Sequence, residues 1–81
     1  MTRLKRLNDM SEMQVGDRAK VLEIGLPGSL GRRLQDMGLI PGTVIRCVLQ
    51  NSSGEFKAFR IRGAVVAVRA EDAGMIRVAG L

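Results

Sequence analysis

The side chains that most often perform chemistry are scarce in this 81-residue sequence. There is no histidine, which removes the usual general base at neutral pH, the Ser–His and Cys–His dyads, and the commonest transition-metal ligand. Glu71 and Asp72 are the only adjacent carboxylates, and they fall in a short polar stretch where acidic side chains are ordinarily solvated. Cys47 is the single cysteine and sits in an apolar run, where a free thiol behaves as a small hydrophobe. One thiol without a histidine or a second cysteine cannot build a structural zinc site within one chain. The run Gly25-Leu-Pro-Gly-Ser-Leu-Gly31 is glycine-rich but lacks the lysine that follows a phosphate-binding loop. No catalytic, cofactor-binding or metal-ligating residue is therefore expected, and the chain reads as something other than an enzyme.

What remains is recognition, and the adjacent arginines Arg32 and Arg33 are its most informative polar feature. Two readings stand side by side. One is a solvated helix face, with Asp36 four residues beyond Arg32 forming a weak ion pair. The other is a rigid basic patch displayed towards an acidic partner. The formal charge of +5 comes from thirteen Lys and Arg against eight Asp and Glu, which invites a nucleic-acid reading. The distribution opposes it: residues 1–40 hold seven basic and five acidic groups, and residues 41–81 hold six and three, so neither half is a concentrated basic arm. With two Phe, no Tyr and no Trp, the stacking platforms for single strands are nearly absent, and nucleic acid is not the expected partner. A lone cysteine fits a reducing compartment. No secretory signal is visible, and the longest apolar run, residues 64–68, falls far short of the ~20 residues that span a bilayer. A cytoplasmic protein is expected.

These residues need elements to position them, and the length allows one domain. Leu4, Leu7, and Met10 or Met13 recur at three-residue spacing, the apolar face of a leader of one or two loose helical turns. After a turn at Val15-Gly16-Asp17, residues 18–24 nearly alternate, a first strand with Ala19 and Val21 inward. Gly25 to Gly28 end it. Ser29 is placed to cap a short helix whose stripe is Leu30, Leu34 and Met37, with Gly38 stopping it in a left-handed C′ conformation. Pro41-Gly42 suits the centre of a type II turn. From Thr43 the period becomes two: a strand to Gln50, a loop over residues 51–54, and a partner strand. On that strand Lys57, Phe59 and Ile61 share one face, and Phe56, Ala58, Arg60 and Arg62 share the other. Gly63 breaks or bulges it before residues 64–69, a polar turn follows, and residues 75–78 close the chain. About five short strands and one short helix, in a domain this small, are expected to curl into a partly open SH3-like barrel that hides strand edges.

The run Leu30-Gly-Arg-Arg-Leu-Gln-Asp-Met-Gly-Leu-Ile-Pro-Gly-Thr-Val-Ile45 resembles the signature of the ferrous iron transport A family (FeoA). The matching positions are Arg32, Arg33, Leu34, Met37, Gly38, Leu39, Pro41, Gly42 and Thr43. Leu7, Val15, Gly16, Ala19 and Val21 upstream, and Ile61-Arg-Gly, Val66-Ala-Val-Arg69, Asp72-Ala73 and Ile76-Arg-Val78 downstream, extend the likeness over residues 7–78, the core of a single domain spanning residues 1–81. Two positions depart from it: Gly54-Glu55-Phe56 where members often carry Gly-Asp-Pro, and Ala64 where they often carry an aromatic. Both lie in or beside loops and bear on partner specificity. The resemblance implies an SH3-like barrel and a small accessory protein that binds the cytoplasmic portion of the membrane GTPase FeoB. The docking patch is then expected on the helix and its following turn, at Arg32, Arg33, Asp36, Met37, Gly38 and Pro41, on a monomer or weak dimer. Similar domains end metal-dependent repressors, but with Met1 at the start a free-standing protein is expected. A small RNA- or ribosome-associated barrel, or a partner of such a repressor, is the alternative.

Overall fold

Alternation of polar and apolar residues resolves into five antiparallel strands in the computed structural model, which describes residues 7–81. A 3₁₀ turn (Met10–Glu12) leads into β1 (Arg18–Ile24), α1 (Gly28–Asp36), β2 (Val44–Gln50), β3 (Phe56–Ile61), β4 (Ala64–Arg69), a one-turn α2 (Ala70–Ala73) and β5 (Ile76–Gly80). Ala19, Val21, Ile45, Cys47, Phe59, Ile61, Val68, Ile76 and Val78 all point inward and are buried together. Register irregularities between Val21 and Glu23 in β1, and between Cys47 and Leu49 in β2, act as bulges that bend the strands. Ala58, expected on the outer face, is buried beside the second of these. Gly63 breaks the strand rather than bulging it and completes a two-residue hairpin, Arg62-Gly63, with Ile61 paired to Ala64.

The strand order β4-β3-β2-β1-β5 places β2 in the interior. The strand at Val44 to Leu49 therefore offers no free edge for pairing in a dimer: β1 flanks one side of it and β3 the other. The edges are β4 and β5, and the leader covers part of β5. Asp9 bridges to Arg77, and the Val78 N–H donates to the Asn8 carbonyl. A capping box fixes the 3₁₀ turn, in which Asp9 accepts from the Ser11 N–H and Glu12 accepts from the Asp9 N–H. Leu7, Met10 and Met13 are buried on the spacing expected for the leader's apolar face; Leu4 lies outside the described residues.

One polar group enters this core. Lys57, in phase with Phe59 and Ile61, is only 7% exposed. Its ammonium donates to the carbonyls of Ser11 at 2.6 Å and Met13 at 2.5 Å, joining β3 to the segment that closes the barrel floor. Cys47 is also buried, with its Sγ 3.8 Å from the Leu49 carbonyl. Burial pushes the thiol pKa up, against the opposing pull of the Lys57 charge, while Asp17 adds to the rise.

Lys57→Met keeps the apolar stem but leaves two carbonyls without a donor. It should lower stability by about 2–4 kcal/mol. Exchange of the Glu12 and Met13 amides should accelerate before that of Phe59; an unchanged denaturation midpoint would contradict the assignment. The raised thiol pKa means that the stabilisation from Cys47 is complete below the ordinary thiol value of about 8.5 and is lost as pH climbs through the folded value. At pH 8 a disulfide reagent such as DTNB should therefore leave the native chain unlabelled and label it fully in 6 M guanidinium, whereas rapid native labelling would exclude a sealed thiol.

Candidate partner-binding site

The helix that was expected to carry the patch is held at its C-terminal end. Gly38 has a left-handed φ of 105°, as expected of a C′ residue. Its N–H donates to the Gln35 carbonyl, and the Leu39 N–H donates to Leu34, so the chain closes a complete Schellman motif. Leu39 then drops into the core. Gly42, with φ of 95°, supplies the positive torsion of a type II turn closed by the Thr43 N–H on the Ile40 carbonyl. The Thr43 hydroxyl returns to the Gly38 carbonyl at 2.8 Å, and the Val21 and Gly42 N–H groups tie the turn to β1. Helix end and turn are one rigid unit.

The helix itself touches the barrel through a narrower face than its pattern suggested. Leu34 is buried, but Leu30 is exposed and Met37 is 46% exposed. Gly31 takes the contact position beside Leu34: a Cβ there would collide with the Leu26 carbonyl oxygen, so only glycine allows this approach. Met37 lies at the C-cap, where the chain has left the helix, and Leu39 fills the core position assigned to it. Ser29 does not cap the helix. The helix begins two residues earlier, at Gly28, whose φ of 72° turns the chain, and the cap position is Pro27 without a side-chain bond.

Of the residues expected in the patch, Arg32, Arg33, Asp36, Met37 and Pro41 are exposed and Gly38 is half-buried. Arg32 and Asp36 do not form the expected ion pair; the described pairs are Arg69 with Glu71 and Arg77 with Glu23. Two neighbours were missed. Ile40 is 40% exposed between Gly38 and the turn. Arg62, in the β3–β4 hairpin, lays its aliphatic stem over Gly38, where an added Cβ would meet its Cδ. The sequence placed Arg62 on the partner strand, with no signal of its approach to the helix. The unit thus presents exposed Met37 and Ile40 between guanidinium groups. On the other flank of α1, a groove of about 270 Å³ runs between Leu30 and Leu34 on one side and Phe56, Ala67, Val68 and Arg69 on the other. The Arg69 guanidinium stands 5.7 Å from the centre of the Phe56 ring. Among the described residues no group of three or more His, Cys, Asp or Glu side chains could hold a metal ion. No helix among them is long and apolar enough to cross a membrane.

Comparison with known proteins agrees with this architecture. The solution structure of a FeoA protein from Chlorobium tepidum superposes with a TM-score of 0.85 at 29% identity, over 90% of this chain and 70% of that one. A crystal structure of Stenotrophomonas maltophilia FeoA with zinc, described as a prokaryotic SH3 domain protein, superposes at 0.72 with 22% identity, over 89% of each chain, and shows the shared fold. A manganese-dependent transcriptional repressor matches all of this chain with 45% of its own at a TM-score of 0.78 and 17% identity, again a likeness of fold alone. No curated protein sequence matches the chain. The FeoA domain model matches residues 8–80, and the chain, an SH3-like barrel, belongs to the FeoA family, associated with ferrous iron transport.

Proposed function

We propose that this chain is a non-catalytic cytoplasmic accessory protein of bacterial ferrous iron uptake. In this reading a single domain over residues 1–81 docks on the cytoplasmic portion of the FeoB membrane GTPase through α1 and the Ile40–Thr43 turn. Family membership supports the transport role. The observation that carries the docking surface is the exposure of Met37 and Ile40 on a unit locked by the Schellman motif and the Thr43 hydroxyl. An exposed apolar pair held rigidly costs little entropy to bury against a partner. Arg32, Arg33 and Arg62 around it favour an acidic counterpart and speed encounter. Asp36, Gly38 and Pro41 complete the same surface.

Calorimetric titration against the purified GTPase-bearing cytoplasmic portion, with and without guanine nucleotide, tests this reading. Saturable binding is expected, and the Arg32→Glu/Arg33→Glu chain should bind about tenfold or more weakly with an unchanged Tm. Equal affinity for the double variant would remove the helix patch, and absence of binding by the unaltered chain would remove the partner.

A further inference from the structure

A second basic surface lies on the outer face of the sheet, apart from α1. Arg18 on β1 is paired in register with Arg46 on β2, and Arg46 is paired with Arg60 on β3. The three exposed arginines therefore form a row across adjacent strands, with neighbours about 5 Å apart at Cβ. Backbone hydrogen bonds from Cys47 to Asp17 and from Val21 to Thr43 fall on either side of the Arg18–Arg46 pair. That alternation makes it a non-hydrogen-bonded pair, where opposed side chains stand closest. Like charges directly opposite one another weaken a sheet. Nothing here relieves them: none of the three arginines forms an ion pair or side-chain hydrogen bond among the described residues. Among the neighbouring outward positions Lys20, opposite Val44, adds a further positive charge, while the carboxylate of Glu23 further along β1 is paired with Arg77.

An arrangement that works against the strand pairing, repeated across two successive pairs, points to a demand from outside the fold. We infer that this face docks an acidic polypeptide segment. Guanidinium forks hold carboxylates in two-point contacts that lysines cannot reproduce. Exposed Val44 and Val65, the latter opposite Arg60, set short apolar side chains among the charges, which suits a segment mixing glutamate or aspartate with aliphatic residues. A single-stranded nucleic acid would want a series of aromatic platforms, and this face offers only Phe56, which already lies under the Arg69 guanidinium. A lipid surface would want large apolar side chains to insert, and valine is too short. The inference is independent of the helix patch and of the transporter as partner.

The test is an amide-resolved NMR titration of the whole chain with a synthetic peptide of glutamates and valines. Parallel titrations use poly(dT) and phosphatidylserine-containing vesicles. Saturable shifts are expected at residues 18–20, 44–46 and 58–61, weakening as salt is raised. The R46Q/R60Q chain should bind the peptide about tenfold more weakly, while the charge-matched R69Q/R77Q chain should bind it as the unaltered chain does. Removing the opposed charges should leave the Tm of R46Q/R60Q equal to or about 1–3 °C above that of the unaltered chain. The inference fails if the peptide produces no saturable shift on this face, if both double variants weaken alike, or if the R46Q/R60Q Tm falls. It fails equally if poly(dT) or the vesicles occupy the face and the peptide does not.

Discussion

The barrel depends on a lysine placed where its sequence neighbours are Phe59 and Ile61. A five-stranded sheet of this size cannot close on apolar side chains alone, because the leader that seals its floor brings unpaired carbonyls with it. Lys57 resolves this by carrying its ammonium to the Ser11 and Met13 carbonyls while its stem lies in the core. Met10 and Met13 are thereby held beneath the sheet, and Asn8 and Asp9 are held along β5, which would otherwise be a bare edge. Cys47 shares that interior as a buried, packed thiol whose pKa burial pushes up.

Much of this was legible in the sequence because the relevant signals are local. Period-two runs marked all five strands, and the torsional needs of Gly38 and of Pro41-Gly42 marked the helix end and the turn. The parity of β3 even placed Lys57 inward. Its hydrogen-bond partners were not legible, since they lie more than forty residues away in sequence. The helix face was misjudged for a similar reason. Spacing alone promoted Leu30 and Met37 to the core, whereas Gly31 makes the close approach to Leu26 and Met37 stands at the C-cap, so both side chains are exposed. The candidate patch was legible as a set of positions. Its completion by Ile40 and Arg62 required the hairpin to fold back on the helix, and the arginine row required the strand register.

A barrel organised this way leaves its exterior free. The core is filled by side chains, and the exposed apolar and basic groups are presented by backbone whose geometry is fixed from within. Arg62 illustrates the coupling. It adopts a left-handed φ of 47° in a tight hairpin, a conformation unusual for a residue with a side chain, and that turn is what brings its stem over Gly38. Fold and surface meet at this contact.

In the proposed function a rigid barrel displays the unit formed by α1 and its turn to a transporter partner. Hydrogen–deuterium exchange of the chain, alone and with the GTPase-bearing cytoplasmic portion of FeoB, tests it most directly. Exchange at the amides of residues 36–44 should slow in the complex, with Phe59 and Ile61 unchanged because the core is complete before binding. Protection confined to other surfaces, or a change in the core amides without one in this unit, would contradict it.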